Sequence, residues 1–229
     1  MNHNILYSFR RCPYAIRARW ALLNTNQIVE LREVDLKNKP IELIQISNKA
    51  TVPVLKTSSN KIIDQSLEIM IWSIERSNRH ELLGNSNNDK SQEIFSLIEN
   101  NDKVFKYHLD RYKYASRFNH DESEFHRDSG IKILLSLNNK LKKFSNKGKP
   151  LFLVDAKETL ADWAIWPFVR QFRIANIKKF DQNHELQFLR SWLNYYFTHK
   201  KYQIAMRKND PWNKKNEPIF LVDEVKKSF

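Results

Sequence analysis

Residues 5–15, Ile-Leu-Tyr-Ser-Phe-Arg-Arg-Cys-Pro-Tyr-Ala, decide the fold. The apolar run at 5–9 is typical of a short buried strand, and the basic pair that follows interrupts it. Pro13 suits the first position of a helix, because the N–H that proline lacks would have no partner there. Apolar residues then recur at helical spacing over 16–24. The sequence therefore places Cys12 where a strand ends and a helix begins.

Beyond this junction, short strands and helices alternate. The remaining predicted elements of this part are a strand at 28–35, a helix at 41–46, a strand at 51–55 with Pro53 at its start or edge, a strand at 61–64 and a helix over Leu67–Ile74 capped by Ser66. The order βαβαββα predicts a small α/β domain with a mixed sheet. In the first helix, Arg17 and Arg19 are expected to lie off the apolar face.

The second half of the chain has a helical pattern throughout. We predict a first domain at residues 1–78, a polar linker at 79–91 and an all-helical C-terminal domain at 92–229. Its helices are expected near 92–117, 123–145, 160–174, 184–197 and 199–208. Thr159 and Asp162 have the spacing of a capping box at the start of an aromatic-rich helix, which indicates helix nucleation.

The composition excludes several classes of protein. The chain has 229 residues, of which 41% are hydrophobic, so extended disorder is excluded. Only 3 glycines argue against a glycine-rich phosphate loop and a turn-rich β-sandwich. No apolar run reaches the roughly 18–20 residues that a membrane span needs. The polar start gives no expectation of a signal peptide, and the single cysteine cannot form an internal disulfide, so we expect a cytoplasmic location.

The net charge of +13 allows two interpretations. A basic protein can bind nucleic acid or an anionic membrane. The excess is +5 over residues 1–80 and +8 over residues 81–229, and it is spread rather than concentrated in one tract. Solvated basic faces explain this distribution better than a site for a polyanion. Neither a nucleic-acid partner nor a membrane is expected.

Cys12 is the residue with the clearest chemistry. A helix N-terminus presents N–H groups without partners and a partial positive charge, and Arg10 and Arg11 add cations nearby. These conditions favour the thiolate and make a cysteine nucleophilic. The alternative is a buried cysteine that acts as a small hydrophobic residue. Position 15 is Ala, so no second cysteine follows, and a thiol cycle would need an external thiol such as glutathione.

Four stretches resemble a known family, the cytosolic glutathione transferases, and within it the cysteine-type, omega-like class. They are Leu6–Ala15 with Arg17 and Arg19, Leu36–Pro40, Val52–Leu55 and Ala161–Phe168. The resemblance implies a thioredoxin-like first domain, an all-helical second domain, glutathione as co-substrate without a metal, and a homodimer. It covers most of residues 5–175.

The resemblance also implies roles for particular residues. Cys12 matches the thiol that faces or bonds the sulfur of glutathione, and Tyr14 matches an aromatic position beside it. Lys39 matches the lysine that meets the glycine-end carboxylate. Val52 matches the residue whose backbone pairs with the cysteinyl part, ahead of a cis-proline at Pro53. Without the resemblance, we would interpret Lys39 as a solvated lysine and Val52-Pro53 as an ordinary strand edge.

The γ-glutamyl end of glutathione is expected at Gln65 and Ser66. Ser66 offers a hydroxyl, its own N–H and a helix N-terminus, although it could be only a helix cap. The family often has an acid where this chain has Gln65, which can only hydrogen-bond the γ-glutamyl ammonium. The missing charge could come from Asp64 or a neighbouring subunit.

A pocket for a second substrate is expected beside Cys12. Its candidate lining residues are Tyr107, Tyr114 and Trp212, although core or surface packing would explain each of them as well. The expected activity is thiol transfer or reduction through a mixed disulfide at Cys12, with a small disulfide, oxidant or electrophile as second substrate. The alternative is a non-catalytic module of the same fold that binds partners, similar to the stringent-starvation proteins.

Overall fold

The computed structural model describes residues 3–84, 87–145 and 149–221. By its contacts the chain divides into two compact units. The first combines Met1–His80 with His199–Phe229, and the second is Glu81–Thr198. The sequence assigned all of 92–229 to one helical domain, whereas the contacts of the chain after Thr198 are with the first unit. The reason is that residues 200–205 pack against the first helix and that backbone hydrogen bonds join residues 212–221 to the second strand of the sheet.

The first unit has the predicted thioredoxin-like order βαβαββα. Its elements are β1 Asn4–Ser8, α1 Pro13–Asn24, β2 Val29–Glu33, α2 Ile41–Ile46, β3 Val54–Lys56, β4 Ile62–Ile63 and α3 Ser66–Glu75. The sheet order is β4-β3-β1-β2, with one further strand beyond β2. Strands β1 and β2 are parallel, whereas β3 is antiparallel to both β1 and β4. Residues 9–12 connect the carboxyl end of β1 to α1, so Cys12 lies at this end of the strand.

The core of this unit lies on both faces of β1. Tyr7 packs with Leu43 of α2 and Val54 of β3. Because side chains alternate along a strand, Leu6 faces the opposite side, where α1 packs against α3. Arg17 and Arg19 are buried in α1, with 2% and 0% of their surfaces exposed, so the expectation that they lie off the packed face was wrong. Each guanidinium is hydrogen-bonded, which is what makes its burial tolerable.

The C-terminal segment of the first unit, residues 199–221, adds an unpredicted strand. After helix α10, Lys200–Ala205, the chain runs to strand β5, Phe220–Leu221, which pairs antiparallel with β2. A hydrogen bond from Leu31 N to Ile219 O, 2.7 Å long, extends this pairing. The segment thereby covers the edge of the sheet that β2 would otherwise expose.

The second unit is helical over its described residues. Its α-helices are α4 Asn88–Asn100, α5 Lys106–Lys113, α6 Ser123–Lys143, α7 Leu160–Ala175, α8 Ile177–Gln182 and α9 Gln187–Thr198. The single helix predicted near 92–117 is divided by a π-helical turn at Asn101–Phe105, and α8 was not predicted. The predicted capping box of Thr159 and Asp162 is confirmed at the start of α7.

Asp162 is a fully buried carboxylate in the second unit. Its Oδ2 accepts hydrogen bonds from Thr159 N at 2.9 Å and Thr159 Oγ1 at 2.8 Å. Its Oδ1 accepts from Leu153 N at 2.9 Å and from Trp192 Nε1 at 3.0 Å. Burial raises the pKa of Asp162 to about 6, although these hydrogen bonds act in the opposite direction. One carboxylate thus ties α7 to the preceding loop and to α9.

Across 3–84, 87–145 and 149–221, no helix is long and apolar enough to cross a membrane.

Candidate functional site

Cys12 occupies the N-cap position of α1, with extended backbone at φ −78° and ψ 121°. Pro13 is the first residue of the helix, as predicted. The carbonyl of Cys12 accepts the first helical hydrogen bond, from Ile16 N at 2.9 Å, and Cys12 N donates to Phe9 O at 3.0 Å. The side chain is partly exposed, so the thiol is accessible where the free N–H groups of the helix converge.

The loop before β3 brings Val52 to the thiol. The Val52–Pro53 peptide bond is cis, as the resemblance implied. Cys12 Sγ lies 3.7 Å from Val52 O, close enough for a weak S–H donor to reach the carbonyl. Val52 is partly exposed, whereas Pro53 is buried. Two residues that are 40 positions apart in sequence therefore meet at one place.

A second cluster forms where α1 meets the start of α3. Gln65, not Ser66, is the N-cap of α3, so the predicted cap is one residue too late. Ser66 is the first helical residue, is 5% exposed, and its Oγ accepts a hydrogen bond from Arg17 Nε at 3.0 Å. The Arg17 guanidinium also lies over the ring of Tyr14, 4.9 Å from its centroid. The prediction missed the role of Arg17 because nothing local to α1 indicates a partner at residue 66.

The Ser66 hydroxyl keeps a hydrogen that it can donate. Arginine has no acceptor, so the bond from Arg17 uses a lone pair of the oxygen and leaves the hydroxyl hydrogen. In the part of the chain that the structure describes, no acceptor takes this hydrogen. The buried donor lies beside a buried guanidinium and the first N–H groups of α3, which is an arrangement that suits a carboxylate.

The positions of Gln65 and Lys39 indicate a ligand site less clearly than that of Ser66 does. Gln65 is exposed beside Ser66, and Asp64 forms an ion pair with Lys49 at 3.6 Å. Lys39 is partly exposed and precedes Pro40, the N-cap of α2. Among the described residues, no hydrogen bond joins Lys39 to Cys12, Val52 or Ser66. The glutathione roles of Gln65 and Lys39 therefore stay predictions.

The three residues expected around a second substrate lie in different units. Tyr107 and Tyr114 belong to the second unit and are 47% and 37% exposed. Arg111 lies over the Tyr107 ring at 3.5 Å from its centroid. Trp212 belongs to the first unit, where Arg32 lies 4.1 Å from the centroid of its ring. A shared role for these three aromatic residues stays a prediction.

A buried ion pair contacts the turn that carries Cys12. Arg19 of α1 donates to the carboxylate of Glu33, the last residue of β2. The backbone N–H of Arg10, two residues before Cys12, donates to the same carboxylate at 2.6 Å. The sequence showed Arg19 as part of a motif but gave no indication that Glu33 would be its partner.

The described residues contain no group of three or more His, Cys, Asp or Glu side chains that could hold a metal ion.

Comparison with known families and structures points to one fold. Residues 6–80 match the sequence model of the glutathione S-transferase N-terminal domain. A comparison with curated protein sequences found no match. Many solved structures share the architecture, and three of them illustrate the likeness.

The first is Ure2p in complex with glutathione, with 17% identity over 89% of this chain and 98% of that chain and a TM-score of 0.74. The second is the nitrogen regulation fragment of the yeast prion protein Ure2p, with 17% identity over 91% and 97% and a TM-score of 0.73. The third is glutathione transferase Omega 3C from Trametes versicolor, with 17% identity over 92% of each chain and a TM-score of 0.74. At these identities the likeness establishes a glutathione-transferase fold.

Proposed function

We propose that this protein is a cysteine-type glutathione transferase that acts as a glutathione-dependent thiol transferase through Cys12. The observation that carries the proposal is the position of the Cys12 thiol at the N-terminus of α1, 3.7 Å from the carbonyl of Val52 before a cis-proline. In this proposal Cys12 is the nucleophile, and the Val52 backbone beside it is the edge that would pair with the glutathione peptide. The omega-like assignment rests on the cysteine and its flanking motif.

The proposed cycle consists of two thiol–disulfide exchanges. In the first, the Cys12 thiolate attacks the glutathionyl sulfur of a mixed disulfide, and the other thiol leaves as its thiolate. In the second, an external glutathione thiolate attacks the glutathionyl sulfur on Cys12, which gives glutathione disulfide and regenerates the Cys12 thiolate. Electrons balance within each exchange, and the chain needs no second cysteine. A serine or tyrosine hydroxyl stabilises the thiolate of glutathione by donating a hydrogen bond, whereas a cysteine thiolate tends to bond covalently to its sulfur. Conjugation of glutathione to electrophiles is therefore expected to be weak in this protein.

Glutathione itself has three proposed contacts. The Val52 backbone would pair with its cysteinyl part like an added strand. Ser66, with the N–H groups of α3, would hold the γ-glutamyl carboxylate, and Gln65 would accept from its ammonium. Lys39 would meet the glycine-end carboxylate. We further propose a homodimer in the cytoplasm, and a small disulfide, oxidant or electrophile as second substrate beside Tyr107, Tyr114 or Trp212.

The test is glutathione-dependent reduction of the mixed disulfide between glutathione and 2-mercaptoethanol. The wild type is expected to turn over, and Cys12→Ser and Cys12→Ala are both expected to be inactive. Cys12→Ser introduces a hydroxyl at the site, so any conjugating activity that only this variant shows is assigned to the hydroxyl. Equal turnover in the wild type and Cys12→Ala would refute the proposal.

A second candidate is a non-catalytic module that binds partner proteins. The likeness to the nitrogen regulation fragment of Ure2p favours it, since that structure shares the fold over 91% of this chain. This candidate predicts that wild type and Cys12→Ala bind glutathione alike and that neither reduces the disulfide.

A further inference from the structure

We propose that Arg19 and Glu33 are positioning residues for Cys12, and that the C-terminal segment locks them in place. This inference rests on the proposed function only in that it assigns Cys12 as the reacting group. The turn Phe9–Cys12 carries the thiol and is closed by the hydrogen bond from Cys12 N to Phe9 O.

Glu33 holds this turn from the neighbouring strand. Strands β1 and β2 pair in parallel with Ser8 opposite Glu33, so the carboxylate at the end of β2 reaches the residues that follow β1. Its Oε1 accepts the Arg10 N–H at 2.6 Å. This N–H lies after the end of β1, where the sheet no longer supplies an acceptor. The Glu33 carboxylate therefore fixes the backbone two residues before the thiol.

Arg19 in turn fixes Glu33. It is 0% exposed, and its guanidinium donates to the Glu33 carboxylate, to Ser8 Oγ at 2.7 Å and to Ala205 O at 3.1 Å. A planar guanidinium with three acceptors on different elements has one orientation available. Arg19 follows Cys12 by seven residues, two helical turns, and helical side chains point back towards the N-terminus. Its positive charge is therefore on the Cys12 side of α1.

The charges at this place agree with the geometry. Burial lowers the pKa of Arg19, whereas the negative charges of Glu33 and of the Cys12 thiolate act to raise it. The interaction between Arg19 and Cys12 is reciprocal, so the guanidinium favours the thiolate form of Cys12. The positive charge of Arg10 acts in the opposite direction and lowers the pKa of Arg19.

The C-terminal segment closes the arrangement from outside. Ala205, the last residue of α10, supplies a carbonyl to Arg19. Trp212 N donates to Glu33 O at 2.7 Å, so the backbone of the residue that holds the cysteine turn is itself held. Strand β5 then pairs with β2. Residues nearly 200 positions from Cys12 in sequence thus hold the two side chains, Arg19 and Glu33, that contact the Phe9–Cys12 turn.

The same strand offers a matched control. Glu30 is 4% exposed and accepts hydrogen bonds from Arg32 and His3. Those bonds hold the pKa of Glu30 below its usual value, although burial opposes this. Arg32 and Glu30 therefore form a second ion pair on β2 that makes no hydrogen bond to the Phe9–Cys12 turn among the described residues.

The first experiment compares Arg19→Met with Arg32→Met by the pH dependence of Cys12 alkylation with iodoacetamide, which needs no transferase activity. Arg19→Met removes the cation and leaves the Glu33 carboxylate, so the midpoint of the alkylation profile should rise. At pH values below both midpoints, the rate should fall on the order of tenfold for a shift of about one pH unit. Arg32→Met should stay within about twofold of the wild type. Equal profiles for both variants would overturn the proposal.

A second pair of variants covers the case that Arg19→Met does not fold. Replacing a buried ion pair by two apolar residues is tolerated far better than breaking it. Arg19→Met/Glu33→Met removes the two side chains that hold the Phe9–Cys12 turn. It should slow disulfide reduction on the order of tenfold. It should slow alkylation of the Cys12 thiolate to a similar degree when the rate is measured above the midpoint of the alkylation profile. Glu30→Met/Arg32→Met should leave the alkylation rate of Cys12 unchanged. If both double variants alkylate like the wild type, Arg19 and Glu33 are merely structural. A wild type that alkylates normally but reduces no disulfide would refute the proposed function alone.

Discussion

Asp162→Asn should change how the stability of the protein depends on pH. The carboxyl is fully buried, and burial raises its pKa from 3.8 to about 6. Between these two values the folded state binds a proton that the unfolded state has released. Stability from this group is therefore fully present below about pH 3.8 and is lost as pH rises through about 6.

The magnitude follows from the size of the shift. A difference of about two pKa units corresponds to about 3 kcal/mol between the fully protonated and fully ionised limits. Between pH 4 and pH 7 the free energy of unfolding of the wild type, taken relative to Asp162→Asn, should fall by about 2–3 kcal/mol. Asparagine does not titrate, so whatever constant stability the variant loses is the same at every pH.

Urea unfolding followed by tryptophan fluorescence and by far-UV circular dichroism measures this difference. Trp163, Trp166 and Trp192 are buried in the same unit, so their emission reports its unfolding. A wild-type-minus-variant difference that is flat between pH 4 and pH 7 would refute the reasoning. A difference that rises with pH would mean that the four hydrogen bonds outweigh burial and lower the pKa of Asp162.

Two further substitutions test the site and the packing. Ser66→Ala should raise the KM for glutathione on the order of tenfold with little change in kcat, because in the proposed site the lost donor would bind a charged carboxylate. Ser73→Ala removes a buried hydroxyl whose described hydrogen bond, to Met70 O, stays within α3, and it should leave KM unchanged. An unchanged KM in the first variant would remove Ser66 from the glutathione site. Gly130→Ala should lower the free energy of unfolding by about 1–3 kcal/mol, since the new Cβ would lie 2.5 Å from Cε2 of the buried Phe172. Ser129→Ala on the same helix should not destabilise the protein, and equal denaturation midpoints for the two alanine variants would contradict this.

The sequence predicted the first unit well because its elements carry local signals. The βαβαββα order follows from short apolar runs separated by proline and polar turns, and Pro13 marks the start of α1 at the correct residue. The cis peptide at Val52–Pro53 came only from the family resemblance. These features depend on neighbouring residues or on a short motif, so a single sequence contains them.

The features that the sequence did not predict depend on contacts between residues that are far apart in the chain. Arg17 and Arg19 resemble exposed helix residues until Ser66 and Glu33 are placed beside them. Strand β5 is described over Phe220–Leu221, too short for a recognisable pattern, and it pairs with the edge of β2. No local pattern encodes such pairings, and for the same reason the division of the chain after Thr198 was not predicted.

The central claim is that the Cys12 sulfur forms a mixed disulfide with glutathione. The most direct measurement is intact-protein mass spectrometry after incubation with glutathione disulfide. Since the chain contains 1 cysteine, any disulfide-linked adduct must be at Cys12. The account predicts one glutathionyl group per chain, which excess reduced glutathione removes and which Cys12→Ser does not acquire. A wild-type protein that stays unmodified while its thiol still reacts with iodoacetamide would contradict the account.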